Sequence, residues 1–145
     1  MRALFLAILL PSLVLAPAAG RAQETTGYRV VVHPTNGADA VTRRQLQELF
    51  LKKVTHWPDG TGVFPVEPPE TSSPRAYFLS DVIGKSAFAV KTFWNKRVFA
   101  GRDTPPVEKR SDDEVVAYVR ATPGAIGYVA PSAAVEGVKV LPVKD

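Results

Sequence analysis

Apolar positions recur along this chain with two periods, and the switches between them mark its elements. Residues 28–33 read Tyr-Arg-Val-Val-Val-His. Three consecutive valines predict a strand buried on both faces, as in the middle of an α/β sheet. Pro34-Thr35-Asn36-Gly37 then closes it as a turn. The period changes at Thr42, which with Gln45 forms a capping box, and Leu46, Leu49 and Phe50 supply one apolar helical stripe. Trp57-Pro58-Asp59-Gly60 is a turn, with Trp57 expected to anchor its loop against the core. Val63, Phe64 and Val66 predict a second, short strand.

A Pro/Ser loop follows, Glu67-Pro68-Pro69-Glu70-Thr71-Ser72-Ser73. Ser73 is the expected N-cap of a helix, with Pro74 at its first position, where a missing N–H has no intrahelical partner to lose. Phe78, Leu79, Val82 and Ile83 give that helix its inner face, and Gly84 stops it. A third helix begins at Ser86, with Val90, Phe93, Trp94 and Val98 as its buried side. The loop 101–106 ends in Pro-Pro, which favours extended backbone. Ser111 and Glu114 form a second capping box, and Val115, Val116 and Val119 face inward. Ala125 to Val129 reads as a strand whose Gly127 marks a close approach. Val138 to Val143 reads as a last strand, limited by Pro142. The order β-α-β-α-α-α-β-β predicts an α/β fold: a three-layer sandwich around a mostly parallel or mixed sheet.

The segment before Tyr28 fits neither period. Arg2 precedes an apolar run, Ala3 to Ala16, and small residues follow. This is the pattern of a secretory signal peptide over residues 1–22, with cleavage after Ala18 or Ala22, leaving one domain over residues 23–145. No later stretch is apolar enough to span a bilayer, so the expected product is exported, soluble and periplasmic.

The formal charge is +4 and there is no cysteine. Disulfides and thiol chemistry are thereby excluded. The basic pairs Arg43-Arg44, Lys52-Lys53, Lys96-Arg97 and Lys109-Arg110 are scattered and interrupted by acids, which argues for a solvated surface and against a nucleic-acid partner. His33 and His56 have no ligand-type neighbour at metal spacing, so neither a metal nor a cofactor is expected. No nucleophile has a recognisable base motif, and no enzymatic activity is expected.

The candidate chemistry lies where the second strand feeds the second helix. Thr71, Ser72 and Ser73 offer hydroxyls, the helix start offers free amides, and Arg75 offers a guanidinium. Together these can hold an oxyanion. An ordinary capped helix with a solvated arginine fits the same residues. Ligands of open α/β sheets bind beyond the carboxyl ends of strands, which is where this loop falls.

The ordered set of motifs carries a resemblance. It comprises Thr42-x-x-Gln45-Leu46-x-x-Leu49-Phe50, Trp57-Pro58-Asp59-Gly60-Thr61, Ser73-x-Arg75-x-x-Phe78, Gly84-Lys85-Ser86, Trp94 and Phe99-x-Gly101-x-x-Thr104-Pro105-Pro106. Pro123-Gly124-Ala125-Ile126-Gly127-Tyr128-Val129 completes it. The chain resembles the PstS-like, phosphate-binding branch of the type 2 periplasmic solute-binding proteins, and most nearly its short single-lobe members. The resemblance implies one lobe of such a receptor and a small anion, phosphate or a relative, held by Thr71, Ser72, Ser73 and Arg75. It also implies a partnership with the membrane subunits of an ABC-type phosphate transporter. The alternative is an envelope protein-interaction module that keeps the lobe without tight ligand binding. The chain departs from the pattern in three places. It has no Ser-Gly-Thr turn, its arginine follows the serines, and Lys52 stands where the family has glycine.

Overall fold

The computed structural model describes residues 27–145, so the expected signal peptide lies outside the described residues. Seven strands and four α-helices follow in chain order: β1 (Arg29–Val32), β2 (Val41–Thr42), α1 (Arg43–Phe50), β3 (Phe64–Glu67), α2 (Ser73–Phe78), α3 (Ala87–Phe99), β4 (Val107–Glu108), α4 (Asp112–Ala121), β5 (Ala125–Val129), β6 (Lys139–Leu141) and β7 (Val143–Lys144). Between α2 and α3 the chain makes a π-helical turn, Leu79–Ile83.

The main sheet has the order β4-β3-β5-β1-β6. β3 runs parallel to both β4 and β5, while β1 runs antiparallel to its neighbours β5 and β6. β1 is therefore the one reversed strand in a mixed sheet, as the α/β reading allowed. The three valines behave as expected: Val30 and Val32 enter one core and Val31 the other, all without exposure. The first core packs α1, α2 and the π turn on one face of the sheet. The second packs Val115, Val116 and Val119 of α4 on the opposite face. Three layers result. The first core is centred on aromatics, with Phe78 and Tyr128 stacked at 3.9 Å and 5° and Tyr28 and Phe50 edge-on around them.

Local signals are met at several points. Thr42 and Gln45 make both halves of their capping box. Gly84 adopts the left-handed conformation that ends the π turn, and Gln47 of α1 donates to the exposed carbonyl of Ile83 at 3.1 Å. Trp57 Nε1 donates to the Gly124 carbonyl at 2.9 Å, fixing its loop. A Cβ at Gly127 would stand 2.8 Å from Val66 Cγ1 and 2.9 Å from Val115 Cγ1. The close approach at this glycine is thus made by side chains from β3 and α4.

Other expectations are corrected. The N-cap of α2 is Ser72, one residue before the expected Ser73, and Pro74 sits at the second helical position, where its N–H is equally dispensable. The last strand is cut at Pro142, which has no N–H to continue the ladder; β6 stays in the main sheet and β7 pairs with β2 in a separate ribbon. Ser111 accepts from the Glu114 amide, but the Glu114 carboxylate accepts from Arg110 N, so the second box is closed one residue early. Val98 is half exposed, because helical periodicity turns it about 140° from Phe93; Arg97 lies over Phe93 and Trp94 instead.

Candidate site at the carboxyl ends of β3 and β4

The tripeptide Pro-Val-Glu occurs twice, at residues 65–67 and 106–108. The parallel pairing of β3 with β4 sets Val66 against Val107 and Glu67 against Glu108. Two carboxylates therefore end neighbouring strands side by side. Like charges so placed repel, and a cation is needed between them.

Arg75, in the first turn of α2, supplies it. Its Nη2 lies 3.0 Å from Glu67 Oε2, and its Nη1 lies 3.1 Å from Glu108 Oε2 and donates to the Pro68 carbonyl at 2.9 Å. Only 15% of the Arg75 side chain is exposed, against 54% of Glu108. Glu67 is the deeper acid. Its Oε1 accepts the Tyr128 hydroxyl at 3.3 Å inside the core. Burial pushes the Glu67 carboxyl above the usual glutamate range, while Arg75 and Tyr128 pull it back. Burial and the neighbouring carboxylate likewise push the Tyr128 hydroxyl well above its ordinary value.

Arg75, Glu67 and Glu108 line a cleft of about 280 Å³ whose far wall is Lys91, Trp94 and Asn95 of α3. Glu70 lines it as well. The cleft lies beyond the carboxyl ends of parallel strands, where open α/β sheets bind ligands.

The four residues singled out from sequence are not all brought together. Arg75 lines the cleft, whereas Thr71, Ser72 and Ser73 stand outside its lining. Thr71 and Ser73 are exposed. The Ser72 hydroxyl donates to the Pro69 carbonyl at 2.6 Å and makes no cap bond. Sequence reasoning placed Glu67 and Glu70 in the Pro/Ser loop without a role and missed Glu108, Lys91 and Asn95 as cleft residues. The repeated Pro-Val-Glu was the available signal for Glu108. Nothing local marks Lys91 or Asn95, which read as solvated helix positions.

Lys52 has φ of 52°, a left-handed conformation disfavoured for a side-chain-bearing residue. Its ammonium lies 3.4 Å from Asp103.

Among the described residues no group of three or more His, Asp or Glu side chains is placed to hold a metal ion, and no helix is long and apolar enough to cross a membrane.

The family model described as the PBP superfamily domain matches residues 26–140. Among curated proteins no sequence matches the chain significantly. Several solved structures share its fold. One, from Clostridium perfringens, is assigned to phosphate ABC transport as a substrate-binding protein and holds bound phosphate. It is 18% identical, with a TM-score of 0.64, over 81% of this chain and 44% of that one. An ABC-type phosphate transport receptor from Vibrio cholerae is 19% identical, with a TM-score of 0.63, over 81% and 46%. PstS from Borrelia burgdorferi is 14% identical, with a TM-score of 0.62, over 82% and 47%. The chain thus spans less than half the length of these proteins. The family match covers most of the chain, and these structures share its fold.

Proposed function

The chain belongs to the family described as the PBP superfamily domain, and from that premise we propose that it is an exported, single-lobe solute-binding protein for phosphate or a related oxyanion. In this reading residues 1–22 direct export to the periplasm, and residues 23–145 form the binding lobe. The lobe serves ABC-type phosphate transport, with the transporter's membrane subunits as partners. Arg75 is the anchoring cation; Thr71, Ser72 and Ser73, which stand outside the cleft lining, turn toward it to donate hydroxyls when the anion enters.

One observation carries the reading: a largely buried arginine at the carboxyl ends of two parallel strands, with an exposed carboxylate on its outer nitrogen. Glu108 occupies the position an entering oxyanion would take on Nη1. Glu67 stays below and keeps the guanidinium aimed into the cleft. Three glutamates oppose an anion there, and a half-open site leaves it in water, so binding is weak and salt-sensitive.

Titration calorimetry with phosphate, and sulfate as the comparison, tests this. Heat with phosphate that disappears in Arg75→Ala and grows in Glu108→Gln is expected. No heat up to millimolar anion in either the wild type or Glu108→Gln overturns it. The second reading, an envelope protein-interaction module, is favoured by the fact that both η nitrogens of Arg75 already have acceptors of the protein's own. It predicts that silent result.

A further inference from the structure

Phe99 and Phe88 are the two most exposed large apolar side chains among the described residues, at 94% and 80%. Both lie on α3. Eleven residues separate them, so they stand about 20° apart around the helix and about 16 Å apart along it. The inner face of α3 is opposite, carrying Val90, Phe93, Trp94 and Arg97. The two phenyl rings therefore mark the outward midline of the helix. Taking Phe88 as the reference, Lys91 falls about 60° to one side and Lys96 about 80° to the other, and both are exposed. Exposed Lys85 and Arg102 stand just beyond the two ends. Asn95, uncharged, is the midline residue between the rings. No acid lies on α3 itself; Asp103, just past its end, is held by Lys52 and Arg97, and Glu70 and Glu108 line the cleft beside Lys91.

We infer that this outward face of α3 is a docking surface for an anionic lipid bilayer. Exposed aromatic rings on the solvent face of a helix, with lysines on both flanks and no acid on the helix itself, can seat in a membrane interface. The rings enter the acyl boundary, and the lysines reach sideways to phosphate headgroups. The charge selects the occupant. A second copy presenting the same face would bring Lys91 and Lys96 against their counterparts. The inference stands independently of what the cleft binds, although the same helix walls that cleft.

The test is flotation of the full chain with vesicles of phosphatidylglycerol and phosphatidylcholine, beside vesicles of phosphatidylcholine alone. Phe99→Trp supplies a second readout, as quenching by brominated acyl chains beyond that of the parent protein. This reports the position of residue 99 itself, whatever residues 1–22 do. Binding is expected with the anionic vesicles only, and raising salt from about 0.05 M to about 0.5 M should weaken it by screening. The Phe88→Ser/Phe99→Ser pair should weaken it about tenfold or more, because two rings return to water. Lys91→Glu/Lys96→Glu should abolish it. These positions are exposed, so the variants keep the fold, which circular dichroism verifies. The inference is overturned by binding unchanged in both double variants, by equal binding to neutral vesicles, or by absence of quenching at residue 99. It is also overturned if the rings instead drive self-association, seen as a sedimentation shift lost in Phe88→Ser/Phe99→Ser without vesicle binding.

Discussion

Arg75 Nη2 lies 3.0 Å from Glu67 Oε2, and the two side chains are 15% and 11% exposed. The pair joins the first turn of α2 to the end of β3, and its burial makes it unequal to the surface ion pairs of this chain. Removing one partner strands the other charge away from water, which costs about 3 kcal/mol or more. Arg75→Ala is therefore expected to be strongly destabilised at neutral pH, and Arg75→Ala/Glu67→Gln to recover at least about 1 kcal/mol of that loss. Urea unfolding of the two variants measures it. A double variant no more stable than the single one would contradict the pairing.

The same burial gives a pH signature. Glu67 has its proton affinity raised in the folded state, first by desolvation, with Arg75 and Tyr128 opposing. The folded protein binds this proton more tightly than the unfolded chain, whose ordinary value is 4.5. The stabilisation from this group is complete below that value and is lost as pH rises through the raised folded value. The stability of the wild type relative to Glu67→Gln should accordingly fall as pH rises above about 4.5. Unfolding midpoints of both proteins across that range check the sign, and a difference that rises with pH would reverse it.

Glu108 is the exposed member of the cluster, and its removal should separate structure from binding. Glu108→Gln keeps the shape and deletes the charge that competes with an oxyanion. Its effect on stability should be under about 1 kcal/mol, as for other exposed pairs. Its apparent phosphate affinity should rise severalfold over the wild type by calorimetry. An unchanged or weaker affinity would place the ligand elsewhere.

Lys52 adopts φ of 52°. Replacement by glycine and by alanine both delete its pairing with Asp103, so the difference between those variants isolates the backbone. Lys52→Gly should be more stable than Lys52→Ala by about 1 kcal/mol, the cost of a Cβ in the left-handed region. Equal thermal midpoints would show the loop relaxing around alanine.

Gly127 has no such backbone demand but is crowded. A methyl group there meets Val66 and Val115 at under 3.0 Å. Gly127→Ala should cost about 1–3 kcal/mol through overpacking, and Val115→Ala in the same chain should return part of it. Additive losses in the double variant would argue against the clash.

What the sequence determined by itself is what a few neighbouring residues decide. The valine triplet of β1, the Thr42–Gln45 box, the apolar stripes of α1 and α4 and the left-handed stop at Gly84 are set by alternation, period and capping. These act within a turn or two of chain. The ordered motifs also reached the family and the α/β layering, because they mark the same local elements in the same succession.

Tertiary structure decided the rest. Whether Arg75 is a free cation depends on strand register: β3 and β4 are separated by α2, the π turn and α3, and only their pairing sets Glu67 beside Glu108. Whether Val98, Phe88 and Phe99 are covered depends on which side of α3 meets the rest of the fold. Long-range charge pairing and burial arise when distant segments meet. Local pattern supplies the candidates, and packing assigns their partners.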